Sequence, residues 1–140
     1  MRLRPAAALV ALLFAGCDPG RTDRLSPQLE DRFAREEVVR RAADLDFRYT
    51  RDPGGREERR EDRRASIVVT RASVYIHKND KVGLELTPRT RKATAVQRSG
   101  DRVRVRAGSG RTEEIWSFVP PDDPTGWTAD IRAVLSKARK

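Results

Sequence analysis

The sequence predicts an α+β fold: a small antiparallel split β-barrel of five to six strands, preceded by one N-terminal helix and capped by a C-terminal amphipathic helix. Three observations predict it. Between residues 45 and 119, short segments alternate apolar and polar residues, and turn residues separate them. A helix start signal precedes these segments, and a second one follows them. The chain of 140 residues has room for one such domain and a targeting segment.

The amino-acid composition excludes several kinds of functional site. Hydrophobic residues make up 37% of the chain and charged residues 36%, and the apolar residues cluster in periodic segments, which indicates a folded core with polar flanks. Cys17 is the only cysteine and His77 the only histidine. An internal disulfide, a cysteine-based metal site, a catalytic triad and a histidine metal cluster are therefore excluded. We expect no catalytic activity, no cofactor and no metal.

The first sixteen residues have the organisation of a secretory signal peptide. Arg2 and Arg4 precede an apolar run over residues 6–15, and Gly16 is a small residue directly before the cysteine. The run is about half as long as a membrane-spanning helix needs to be. It predicts a signal peptide over residues 1–16 that is removed from the mature protein.

The stretch "LFAGC" resembles the lipobox of bacterial lipoproteins, and Phe14 is its departure from the usual leucine. The resemblance implies cleavage between Gly16 and Cys17, a diacylglyceryl group on the Cys17 thiol, and a membrane anchor on the non-cytoplasmic side of the cell envelope. Asp18 is a weaker sorting signal, and it does not decide whether the anchor lies in the inner or the outer membrane. The alternative is an ordinary signal peptide, or a chance apolar start, that happens to contain a cysteine.

The mature chain begins with two predicted segments ahead of the sheet. Residues 17–26 are rich in proline, glycine and charge, which is typical of a flexible tether. Ser26 before Pro27 is a helix start, and apolar residues near helical spacing predict a helical spacer over residues 27–44. The remaining domain is expected over residues 45–140.

Alternation and turns define the predicted elements of that domain. The segment "RDPGGREERREDRRA" is nearly balanced in charge, which predicts a solvated loop. The predicted strands are a strand at 45–51, a strand at 66–77, a strand at 82–86, a hairpin over 93–107 and a strand at 113–119. The final predicted helix starts at Asp123 and Pro124 and buries Trp127, Ile131, Val134 and Leu135. Trp116 and Phe118 share one strand face, which is either core or, as the weaker alternative, an exposed binding ridge.

The order of these elements, with the ending "IWSFVPPDDPTGWTADIRAVL", resembles a pleckstrin-homology-like split barrel over residues 45–137. The resemblance implies a module that binds or scaffolds rather than an enzyme. One departure is the first hairpin, "HKNDK", which lacks the basic cluster of the phosphoinositide-binding members. Another open barrel, or a half-barrel packed on two helices, fits the same pattern.

Basic residues concentrate in one segment. The chain has a net charge of +9, and residues 88–106 contain seven basic residues and one acidic residue. The basic residues are Arg89, Arg91, Lys92, Arg98, Arg102, Arg104 and Arg106. The last three alternate with valines on one strand, so they form a row with a spacing of about 7 Å. The row predicts contact with anionic phospholipid, an acidic protein or an anionic polymer, and the alternative is a merely solvated face.

Two further function classes remain open. A cytoplasmic or exported basic protein that binds nucleic acid or another polyanion would also carry this charge, but no aromatic residues interleave with the arginines as a stacking platform. We therefore expect no nucleic acid. An unrecognised hydrolase accessory would need a catalytic constellation, and His77 reads instead as a structural residue near a strand end.

Overall fold

The computed structural model describes residues 20–51, 59–89, 94–108 and 112–136. These residues form seven strands and two helices, in an antiparallel sheet that is curled into a half-barrel. The bounds are α1 Pro27–Glu36, β1 Val38–Arg51, β2 Arg59–Thr70, β3 Val74–Lys78, β4 Lys81–Leu86, β5 Thr94–Ser99, β6 Arg102–Ala107, β7 Glu114–Phe118 and α2 Pro124–Ser136. The strand order across the sheet is β4-β3-β2-β1-β7-β6-β5. The α+β class is confirmed, and the expected count of five to six strands is wrong.

Helix α1 is shorter than the spacer predicted over residues 27–44. Its start is confirmed, because the Ser26 hydroxyl accepts a hydrogen bond from the Leu29 amide at 3.3 Å. The helix ends at Glu36, since Glu37 has a positive φ of 66° and leaves the helical path. From Val38 onward the chain is strand.

A β-bulge explains why the start of β1 looks helical in sequence. Ala42 and Leu45 are three residues apart, yet Ala42 pairs with Ile67 and Leu45 with Ala65, and both pack against the main core. The register shifts between Ala42 and Leu45, where Asp44 has a φ of 56°. The extra residue turns a spacing of two into a spacing of three, which imitates the period of a helix.

The balanced-charge segment, predicted to be a loop, contains part of a strand. Residues 59–64 are not a loop but the first half of β2, paired with residues 46–51 of β1, and their side chains are exposed. Residues 52–58 lie outside the described residues. The predicted strand over 66–77 is in fact two strands, because the Thr70 hydroxyl accepts hydrogen bonds from the amides of Ala72 and Ser73 and so stabilises a turn.

The segment predicted to be a flexible tether is docked on the sheet where it is described. Thr22 is buried, and its amide and its hydroxyl both donate to the Asp44 carboxylate, at 2.7 and 2.9 Å. The Thr22 hydroxyl also lies 2.7 Å from that of Ser66 on β2, and its carbonyl accepts from the Asn79 amide. Residues 20–26 therefore belong to the folded domain, while residues 17–19 lie outside the described residues.

The two helices cover the sheet unequally. We call the face that packs against α2 the inner face and the opposite one the outer face. Trp127, Ile131 and Val134 of α2 are buried against the inner face, as predicted, and so are Trp116 and Phe118 of β7. Helix α1 lies over the β2–β3 part of the outer face, where its Phe33 packs with Val68 and Tyr75 in a second, smaller cluster. Two of its side chains also form ion pairs with the strands on either side, with Arg41 of β1 and with Glu85 of β4.

Ion pairs connect the N-terminal half of α2 to the sheet. The Arg40 guanidinium contacts Asp130 at 2.7 Å and Asp123 at 2.9 Å, and it lies 5.8 Å from the Trp127 ring centre. Asp123 also accepts a hydrogen bond from the Gly126 amide at 3.0 Å, which confirms it as the helix cap. Arg40, at the start of β1, therefore ties the sheet to α2.

Replacement of Trp127 by alanine should lower the free energy of unfolding by about 3–5 kcal/mol, because it removes the largest fully buried side chain of α2. Urea denaturation followed by circular dichroism measures this loss. Val119→Ala is the matched control, since Val119 is 40% exposed, and its effect should stay within about 0.5 kcal/mol. A loss below about 1 kcal/mol for Trp127→Ala would contradict the packing of α2 described above.

Candidate functional site

The structure brings together three of the seven predicted basic residues. Arg102, Arg104 and Arg106 lie on the outer face of β6, while Val103 and Val105 between them are completely buried on the inner face. The predicted alternation of this strand is thereby confirmed.

The other four predicted residues do not join the row. Arg98 pairs in register with the inward-facing Val103, so it lies on the inner side, and its guanidinium donates to the Gly100 carbonyl. Arg89 follows β4, which is the opposite edge of the sheet from β5. Arg91 and Lys92 lie outside the described residues.

Two arginines that the sequence analysis missed complete the basic surface. Arg48 of β1 and Arg104 of β6 are both register partners of Ser117 on β7, which places them on either side of it. Arg60 of β2 is the partner of Thr50 on β1. The alternation of Arg48 with Phe47 and Tyr49 is visible in sequence, but the pairing of β1 with β7 is not.

Together these side chains surround an open concavity of about 740 Å³ on the outer face. We call it the arginine basin and define it by Arg48, Arg60, Arg102, Arg104 and Arg106. Its floor contains Ile115 and Ser117, which are only 7% and 6% exposed although they lie on the part of the outer face that α1 does not cover. Long arginine side chains bury apolar surface with their methylene groups while their charged ends stay in water. No helix of the described chain lies over this floor, so the surrounding arginine side chains shield it from water.

The arginines of the basin differ in how they are paired. Arg106 forms an ion pair with Glu113 at 2.9 Å, and Arg102 donates to the Ser117 hydroxyl at 3.2 Å. Arg48 and Arg104 make no hydrogen bond or ion pair within the described ranges. Two guanidinium groups that flank Ser117 are thus available to an anion.

The basin also contains acidic residues, which limit its positive charge. Asp62 lies in register with Arg48, and Glu61 lines the same concavity. Glu61 is already paired with Arg63 on its own strand. Glu61 pairs in register with Tyr49, so its side chain lies on the inner face, and Asp62 is the one carboxylate that faces the five arginines among the described lining residues. The basin therefore remains net positive, and a guanidinium suits phosphate or carboxylate oxygens in bidentate geometry.

A smaller opening lies at the mouth of the half-barrel, between β4 and β7. It has a volume of about 190 Å³, and Trp116, Val82 and Gly83 line it. A side chain at Gly83 would come within 2.8 Å of the Trp116 ring, so glycine permits the curled sheet to bring β4 close to β7. Trp116 is 2% exposed, which makes it a core residue, and the alternative of an exposed aromatic ridge is wrong.

His77 lies near the end of β3 and is buried. Its Nδ1 lies 2.9 Å from the Asn79 carbonyl, and Nε2 has no hydrogen-bond partner among the described residues. Burial lowers the pKa of the imidazole below its ordinary value of 6.5, and Arg41 acts in the same direction, while Asp23 and Glu30 oppose it. His77 is therefore neutral in the folded domain at neutral pH, as a structural residue of the turn.

The sequence matches no model of a known protein family, and no curated protein matches it. Within the described ranges, neither helix has the length and apolar character that a membrane span requires. The same part of the chain contains no group of three or more histidine, cysteine, aspartate or glutamate side chains placed to hold a metal ion.

The buried imidazole predicts a pH dependence of stability. Because the pKa of His77 is lower in the folded state, the unfolded chain binds more protons below about pH 6.5, and stability should fall as the pH drops below that value. The slope contributed by one such group is at most about 1.4 kcal/mol per pH unit. His77→Gln should flatten this slope between about pH 6.5 and 5 in urea denaturation. An equally steep decline in the variant would assign the effect to the carboxylates instead.

Proposed function

We propose that this protein is a bacterial envelope lipoprotein, cleaved between Gly16 and Cys17 and acylated at Cys17, whose domain is a non-catalytic module that binds an anionic partner. The observation that carries the binding part is the arginine basin, which occupies the part of the outer face that α1 does not cover. Two of its guanidinium groups, those of Arg48 and Arg104, have no partner in the described chain. The lipobox resemblance supports the anchoring part.

The fold supports a binding role over a catalytic one. A curled antiparallel sheet with a C-terminal helix on its inner face is the arrangement on which the resemblance to pleckstrin-homology-like domains rests, and that resemblance implies a binding module. His77 is the only histidine and it is 1% exposed, which argues against a general base that reaches a substrate.

The chemistry of the basin favours some partners over others. Its arginines suit anionic phospholipid headgroups or an acidic protein. Nucleic acid is disfavoured, because Tyr49 is the one aromatic residue among its described lining residues. Its ring lies on the inner face, is 8% exposed and packs at a tilt of 57° against Trp116. A single strand would find no ring on which to stack a base.

Intact-mass measurement of the protein from its native host tests the anchor. We expect the loss of the first sixteen residues and the addition of acyl mass to Cys17. Cys17→Ala should abolish both changes, because the thiol is the acceptor of the lipid. A wild-type protein that retains an unmodified Met1 and fractionates with the cytosol would refute this part.

Binding to inorganic polyphosphate tests the basin itself. The double variant Arg48→Gln, Arg104→Gln should bind about tenfold more weakly and with a weaker dependence on salt, since it loses the two guanidinium groups that have no partner in the described part of the chain. The control is Arg24→Gln, Arg35→Gln, which removes the same charge from two exposed arginines outside the basin. Equal weakening in both variants would assign the binding to net charge rather than to this site.

A further inference from the structure

We infer that the arginine basin docks on the membrane that holds the lipid anchor, where it binds the phosphodiester headgroups of anionic phospholipids. This inference rests on the proposed function, since it requires the lipid on Cys17. It deepens that proposal in two respects. It selects one partner among those compatible with the basin, and it fixes which side of the domain faces the bilayer.

The path of the N-terminal segment is the first argument. Residues 20–26 lie on the outer face, where Thr22 contacts Ser66 of β2. Gly20 lies beside the same strand, two residues nearer to its start, where its carbonyl accepts a hydrogen bond from Arg64 Nε at 3.3 Å. The next outward positions of β2 beyond Arg64 are Asp62 and Arg60, which line the basin. Traced backward, the described chain therefore ends beside the basin and heads toward it.

The length of chain before Gly20 is the second argument. Three peptide bonds, with Asp18 and Pro19 between them, connect Cys17 to Gly20, and such a chain spans at most about 10 Å. The basin extends over five neighbouring strands, from β2 to β5, so it is about 20 Å wide. An acyl chain inserted at Cys17 thus holds the basin close to the headgroup layer. A tether of ten residues would have allowed the domain to turn in any direction.

Charge complementarity is the third argument. Each basic residue contributes modestly near an anionic membrane surface, and its attraction is lost beyond about one Debye length, roughly 10 Å. The anchor holds the domain within this range, which makes headgroup binding an intramolecular step. Arg48 and Arg104, which have no partner among the described residues, meet the phosphodiesters, and Arg102 lies beside them with its guanidinium oriented by Ser117.

Headgroup quenching in the lipidated mature protein tests this orientation. Because acylation occupies the Cys17 thiol, a cysteine introduced at one surface position can be labelled alone with a fluorophore. Ser99→Cys places the label at the basin, and Ala133→Cys places it on the exposed side of α2, across the sheet. Vesicles contain headgroup-attached quencher in phosphatidylcholine alone or in equal parts of phosphatidylcholine and phosphatidylglycerol.

On the anionic vesicles we expect the Ser99→Cys label to be quenched several-fold more than the Ala133→Cys label. The difference should shrink without phosphatidylglycerol, at high salt, and in the Arg48→Gln, Arg104→Gln background, whereas Arg24→Gln, Arg35→Gln should preserve it. Thermal unfolding of every variant checks that it is folded. Equal quenching at both positions on vesicles that retain the protein would overturn the docking and leave the anchor intact.

Two other outcomes also have definite meanings. If Cys17 carries no acyl mass and the protein is not retained on vesicles, the proposed function is refuted, and the docking with it. A Ser99→Cys label that stays in water on anionic vesicles but is shielded by soluble poly-glutamate would overturn the membrane as partner. That result would identify the basin as a site for an acidic protein.

Discussion

The fold depends on one strand, β1, which is hydrogen-bonded on both sides. It pairs with β2 along nearly its whole length of 14 residues, and its last four residues also pair with β7. Without it, β2–β4 and β5–β7 would be two small hairpin sheets with unpaired backbone edges. The bulge at Asp44 bends this strand while it keeps Ala42 and Leu45 on the inner face. A single hydrophobic core can then extend across both halves.

The basin is a result of how this sheet is covered. One helix is enough for the inner face, because the sheet curls around it. On the outer face, α1 packs over β2 and β3, and its ion pairs reach Arg41 of β1 and Glu85 of β4. The part made by the end of β1 and by β7, β6 and β5 has no helix of the described chain above it. Ile115 and Ser117 would be exposed there if short side chains surrounded them. Arginines cover them with methylene groups and remain solvated at their charged ends. Burial of the floor and the positive field of the surface thus come from the same residues.

The features that were predicted correctly are those that depend on neighbouring residues in the sequence. The cap at Ser26, the cap at Asp123, the inward faces of Trp116 and Trp127, and the alternation of β6 all follow from side-chain periodicity or from hydrogen bonds within one turn. The errors lie where tertiary pairing decides. The bulge in β1 imitated a helix, and residues 59–64 form a strand only because β1 offers a partner for backbone hydrogen bonds. Arg48 could not be assigned to the basin, since the pairing of β1 with β7 joins residues about 70 positions apart.

The buried Thr22 also determines how a mechanical pull on the N-terminus enters the domain. A force applied to a flexible leader would first straighten slack chain. Here it passes through the Thr22 hydrogen bonds to Asp44 on β1 and Ser66 on β2, near the middle of the longest strand pair rather than at a frayed chain end. A pull on the N-terminal segment is therefore transmitted to the paired strands β1 and β2 near the centre of the sheet.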